Sequence, residues 1–84
     1  MRVYPNPSAD LVTIDYKVQA PFNELRLEVV NVWGQVLRKH FLESPQGSAV
    51  LDMEGMVAAP YFIYLRVDGK ISKATKLIKV IYGK

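Results

Sequence analysis

Apolar and polar positions alternate along nearly the whole chain. Val12, Ile14, Tyr16 and Val18 are separated by Thr13, Asp15 and Lys17, the period of two that marks a half-buried β-strand. Pro21 ends that region, and the alternation resumes with Leu25, Leu27 and Val29 around Arg26 and Glu28. Asn31-Val32-Trp33-Gly34 then reads as a tight turn, since Gly34 takes positive φ without steric cost. A return strand covers Val36 to Leu42, and its pattern slips around Arg38-Lys39-His40, as a bulge or an edge position would require. Ser44-Pro45-Gln46-Gly47-Ser48 has the composition of a loop and leads into a short strand, Ala49 to Asp52. Glu54 to Ala59 suits one turn of helix or an irregular crossover. Beyond it, Tyr61, Ile63, Leu65 and Val67 alternate with Phe62, Tyr64, Arg66 and Asp68. Asp68-Gly69 is the strongest hairpin signal present, because a type I′ turn wants two successive residues at positive φ. The last strand pairs back over roughly Ile71 to Ile81.

With the short Val3-Tyr4 segment, this spacing gives about seven strands and no long helix. The fold class expected is all-β, an Ig-like antiparallel β-sandwich. One domain covers residues 1–84, with no internal repeat and no low-complexity stretch. Met1 reads as a start placed on a domain excised from a larger secreted protein.

Composition sharpens the picture in three ways. Half of the 84 residues are apolar, enough for a core, but there are no cysteines, so neither disulfides nor a thiolate metal site can reinforce it. The longest apolar run, Val57 to Leu65, has nine residues and contains Pro60, far short of a transmembrane segment. The net charge of +3 is unevenly spread: Lys70, Lys73, Lys76, Lys79 and Lys84 crowd the last fifteen positions, and no acid follows Asp68. Such a basic end suits an anionic partner, or simply an edge strand protected from aggregation.

Residues able to carry chemistry are sparse. His40 is the only histidine, on a strand between Lys39 and Phe41, without an evident nucleophile to activate. The carboxylates are scattered and lack the alternate spacing of a calcium loop, and the five glycines sit singly at turns rather than in a phosphate loop. No catalytic, metal or cofactor-binding residues are expected, and the chain does not read as an enzyme. Trp33, Phe62 and Tyr64 would form a platform for sugar rings if they share a face, which keeps a carbohydrate-binding or adhesive module as the alternative. Nucleic acid is not an expected partner, because the lysines lie on a different strand from these aromatics.

The motifs, taken in order, carry a resemblance. Tyr4-Pro5-Asn6-Pro7 precedes Leu11-Val12-Thr13-Ile14, then come Val32-Trp33-Gly34-Gln35-Val36, Leu51-Asp52-Met53, Pro60-Tyr61-Phe62-Ile63 and Lys76-Leu77-Ile78-Lys79. From Val3 to Val80 the chain resembles the type A C-terminal sorting domain of the type IX (Por) secretion system. That resemblance implies an Ig-like sandwich that serves as a transport signal at the C-terminus of exported cargo in certain Gram-negative bacteria. The cargo crosses the inner membrane by the general route, and the folded domain is then recognised at the outer-membrane translocon. In many members a sortase-like peptidase removes the domain and joins the cargo to an anionic lipopolysaccharide, so the implied location is secreted or on the cell surface. One departure is visible: Ala59 stands where the family usually has the glycine of a Gly-x-Tyr motif. Were positive φ needed there, alanine would cost about 1 kcal/mol.

Within this frame Pro5, Asn6, Pro7, Gly34 and Tyr61 are expected to be structural. Both prolines lack an amide proton and bias the residue before them toward extended geometry, so residues 4–7 should form a stiff, extended lead-in. Asn6 would lock it by bonding to nearby backbone. Lys76, Leu77, Ile78 and Lys79, with Tyr82-Gly83-Lys84, are expected to face the translocon by strand addition at an edge. The same exposed edge would allow a homodimer.

Overall fold

The computed structural model describes residues 1–81, which form seven strands and no helix. The strands are β1 (Arg2–Tyr4), β2 (Leu11–Lys17), β3 (Leu25–Val30), β4 (Val36–Leu42), β5 (Gln46–Asp52), β6 (Ala59–Val67) and β7 (Lys70–Lys79). They pair into two antiparallel sheets, ordered β1-β2-β5 and β4-β3-β6-β7, packed as a sandwich. The expected architecture is therefore present.

Alternation places one set of side chains between the sheets. Val12 and Ile14 from β2 meet Leu27 and Val29 from β3, Ile63 and Leu65 from β6, and Leu77 from β7, all fully excluded from water. Each such side chain contributes roughly 1.5–3 kcal/mol relative to exposure. In a chain without disulfides this burial is the main source of stability. Four strands face three, and β4, exposed from Val36 to Phe41, is the strand left without an opposite layer. The slip in its pattern is a bulge, where register shifts between Val29 and Val30.

One local expectation needs correction. The fifth strand starts at Gln46 rather than Ala49, so Gln46-Gly47-Ser48 is ladder and not loop. Gly47, at φ 154°, pairs with Tyr16, whose hydroxyl would lie 3.5 Å from any Cβ placed there. That hydroxyl donates to the Ser44 carbonyl at 3.1 Å, and since 3.5 Å is an ordinary contact distance, the positive φ rather than crowding favours glycine at position 47. Between β5 and β6 the chain takes the second of the two expected forms, an irregular crossover of turns. Met53 and Met56 point inward as plugs, and the Tyr61 hydroxyl donates to the Val57 carbonyl at 2.7 Å. The Asp68-Gly69 hairpin is as expected, with positive φ at both residues, 52° and 86°.

Each outer face is organised around one carboxylate. On the four-stranded sheet Glu28 is 2% exposed and accepts from Arg26 Nε and Arg66 Nε, both at 2.7 Å. Burial pushes its pKa up, but the bonds and charges of Arg66 and Arg26 outweigh that and leave it below the usual carboxylate range. On the three-stranded sheet Asp15 accepts from Ser48 at 2.5 Å and from the Tyr4 hydroxyl at 3.0 Å. The Ser48 bond is the chief reason its pKa is also lowered.

A carboxylate lowered in the folded state stabilises fully above its unfolded pKa, and the gain is lost as pH falls through the folded value. Urea midpoints should thus be level from pH 7 to about 5 and drop in more acid solution. Glu28→Gln should flatten that drop without abolishing it, because Asp15 acts with the same sign. A variant that falls as steeply as the parent would contradict the pairing. In the core, Leu65→Ala should cost about 2–5 kcal/mol in urea unfolding. Val50→Ala, on an outer face, should stay within about 0.5 kcal/mol.

Candidate functional site

β7 is an edge strand of the four-stranded sheet, with β6 on one side only. Across from it Pro60 pairs with Ile78, where β7 amide and carbonyl groups point away from β6. The same alternation aims the backbone groups of Lys76 and Ala74 outward. Proline at position 60 fits, because its missing amide lies past the end of β3, whose pairing stops at Phe62.

Half of this outward edge is already occupied. The Asn6 carboxamide donates from Nδ2 to the Lys76 carbonyl at 2.9 Å and accepts at Oδ1 from the Ile78 amide at 3.1 Å. Two residues on, Ser8 donates its amide to the Ile78 carbonyl at 2.9 Å, and its carbonyl accepts from Val80 at 2.8 Å. Ser8 and Lys79 thus form a parallel bridge. Ser8 is 1% exposed, and its hydroxyl donates to the Leu11 carbonyl at 2.9 Å, which fixes the turn into β2.

This corrects the expectation of an extended lead-in locked to its own neighbourhood. Residues 5–7 bend, and the peptides before Pro5 and Pro7 are cis. The partners of Asn6 lie 70 and 72 positions away. Because Pro5 and Pro7 have no amide, the segment has few groups to offer β7: the Asn6 side chain supplies one donor and one acceptor, and the Ser8 backbone supplies another of each.

The four residues of the proposed recognition motif divide by parity. Leu77 lies wholly in the core, and Lys79 is 4% exposed with Nζ 3.8 Å from Asp10. Lys76 and Ile78 sit on the outer face, Lys76 exposed and Ile78 half-buried. The structure therefore offers a partner the side chains of Lys76 and Ile78, with Lys70 and Lys73 exposed further up the same edge. Residues 82–84, to which part of the recognition reading falls, lie outside the described residues.

The other singled-out positions have local duties. Gly34, at φ 84°, closes the β3–β4 turn, in which the Asn31 side chain accepts from the amides of Trp33 and Gln35, both at 2.9 Å. Ala59 is the first residue of β6, opposite Lys79, and is not among the positive-φ residues, so the cost considered for alanine does not arise. Trp33 stands 82% exposed at the end of that turn, while Phe62 and Tyr64 are half-buried on the outer face of the four-stranded sheet. Their rings are 6.4 Å apart and tilted by 33°, and the Arg66 guanidinium lies 5.9 Å from the Tyr64 ring centre. Among the described residues no ring stacks with Trp33, so the three do not make one flat platform. His40 is exposed on β4. An open depression of about 350 Å³ is lined by Met1, Arg2, Asp15, Tyr16 and Lys17, with Asp15 already held by Tyr4 and Ser48. Among the described residues no group of acids and histidines is placed to hold a metal ion.

The sequence reading missed the distant partners of Asn6 and the role of Ser8. The signal was present: within residues 4–8, Asn6 is the one side chain that carries its donor and its acceptor on separate atoms, as a peptide group does, and it is set between two prolines.

No curated protein matches the chain. The model of the secretion system C-terminal sorting domain matches residues 2–80. That span opens with β1, takes in the Asn6 clamp and closes just after β7, so sequence family and closed sandwich coincide residue for residue. The chain belongs to the C-terminal sorting domains of the type IX secretion system.

Proposed function

We propose that this domain is a non-catalytic address label, carried by an exported cargo and recognised at the outer-membrane translocon through the outer edge of β7. Membership of the sorting family supports export and a secreted or surface destination. The edge itself carries the finer reading. Lys70, Lys73 and Lys76 are exposed along it, and no carboxylate lies within 4 Å of any of the three among the described residues. Beside them the Ala74 backbone groups point outward, a ready start for an added strand. Positive charge would steer an acidic partner, and backbone pairing would hold it. A sortase-like peptidase acting on the chain upstream of β1 completes the reading, and no step of it calls for a cofactor. Nothing in the placement of Trp33, Phe62 and Tyr64 favours a sugar-binding role.

The test is a cargo fusion followed to the cell surface in a bacterium with this secretion system. Lys73→Glu combined with Lys76→Glu leaves the core untouched and should lower surface delivery at least about tenfold. Val50→Glu, on an outer face of the other sheet, should leave delivery unchanged. Removal of residues 76–84 should abolish it. Normal delivery by the shortened fusion would end this reading.

A further inference from the structure

We propose that the β7 edge over Lys76–Val80 is a covered docking edge, and that an acidic, extended segment of the recognising partner takes the place of residues 6–8 there. The inference rests on the reading of β7 as the recognition strand and adds what must happen first. The groups an added strand needs are the Lys76 and Ile78 carbonyls and the Ile78 and Val80 amides, and all four are bonded to Asn6 or Ser8. A partner strand running past Ala74 cannot extend to Val80 while the clamp is closed. Strand addition and clamp closure exclude each other.

The cover is built to be replaceable. Two of its four bonds come from one side chain, which holds the edge at a single point rather than along a ladder. Asn6 is exposed, as are Pro5 and Pro7 on either side, so water reaches these bonds. Pro5 and Pro7 supply no amide, whereas a partner segment without proline would pair with Ala74, Lys76, Ile78 and Val80 in succession. A true strand would therefore make every bond the clamp makes and add those at Ala74 and the Lys76 amide. Residues 6–8 run parallel to β7, which sets the direction of the incoming segment. Its acidity follows from Lys70, Lys73 and Lys76 along its path, none of which has a carboxylate within 4 Å among the described residues. The buried rows of β2, β3 and β6 and Leu77 hold the sheets together without Asn6, which is exposed, whereas Ser8, 1% exposed, is the clamp residue whose release costs most. Opening exposes Ser8 and frees the segment next to β1, so docking at β7 and release of that segment become one event.

The experiment has two arms on the intact chain. In amide hydrogen exchange, the Ile78 and Val80 amides should exchange at least about tenfold faster than that of Leu65, through local opening. Asn6→Ala should speed Ile78 at least tenfold further and leave Leu65 unaltered. Equal protection of Ile78 and Leu65 would mean the clamp opens only on global unfolding, and would overturn the inference. In the second arm, Ser8→Cys with Lys79→Cys joins the clamp covalently in a chain that has no other cysteine. The oxidised double variant should lose at least tenfold in surface delivery of a fused cargo relative to either single variant. Equal delivery of locked and single variants would also overturn the inference. Asn6→Ala guards against single variants that do not fold: it should be delivered at least as well as the parent, and a folded Asn6→Ala protein that stays inside would count against displacement. If removal of residues 76–84 leaves delivery intact, recognition at β7 itself is wrong. If that removal blocks delivery and the locked clamp passes, only displacement is wrong.

Discussion

The carboxamide of Asn6 stands in for a neighbouring strand, donating to Lys76 and accepting from Ile78 across the open side of β7. That contact joins the two sheets at one end of the molecule. β1 belongs to the three-stranded sheet and β7 to the four-stranded one, and residues 5–8 pass from the first to the edge of the second. The sandwich is thereby tied at one end by backbone-directed bonds as well as by packing. The beginning of the domain also touches its last strand, so the two ends of the sorting signal are mechanically adjacent.

A sandwich of this size has four sheet edges and few ways to protect them. β1 is only three residues long, which limits what it can template. β4 carries Arg38, Lys39 and His40 and is twisted by the bulge opposite Val29 and Val30. β5 has Gly47, at positive φ and against Tyr16, as its second residue. β7 has lysines over its first half and the Asn6 clamp over its second. The lysines that guard this edge are the same groups that the proposed recognition would use. Stability meanwhile resides mainly in the inward-facing rows of β2, β3 and β6, joined by Leu77 of β7, and in the Glu28 pairing with two arginines. The outward backbone groups of β7 and the exposed Asn6 side chain lie outside that core.

What could be read from the chain follows from how local each determinant is. β2, β3 and β6 announce themselves because one face of each is continuously buried, and Asp68-Gly69 encodes its turn in two adjacent residues. The start of β5 was hidden because glycine and proline are ordinarily loop residues. What turns Gln46-Gly47-Ser48 into ladder is Tyr16, thirty-one positions from Gly47, and pairing of that kind leaves no trace in local composition. Asn6 was misplaced for the same reason: a turn-forming residue between prolines suggests a short-range bond, and its real partners are brought near only when β7 docks. The inward placement of Leu77 and Lys79 follows from the parity of β7, which the bulge between Leu65 and Arg66 fixes and which repeating lysines obscure.

The sorting family works by presentation rather than reaction, and the proposed role of this domain follows it. The family assignment supports export, and the geometry gives an edge with outward backbone groups, lysines without a carboxylate partner among the described residues, and an exposed side chain bonded across part of it. The most direct measurement is photo-crosslinking in living cells. A light-activated amino acid would replace Ala74 on β7 or Val50 on β5 of a fused cargo, in a bacterium carrying the secretion system. Position 74 should capture an outer-membrane component of the machinery and position 50 should not. Capture from position 50, with none from position 74, would show that the address is read from the opposite sheet and contradict this account.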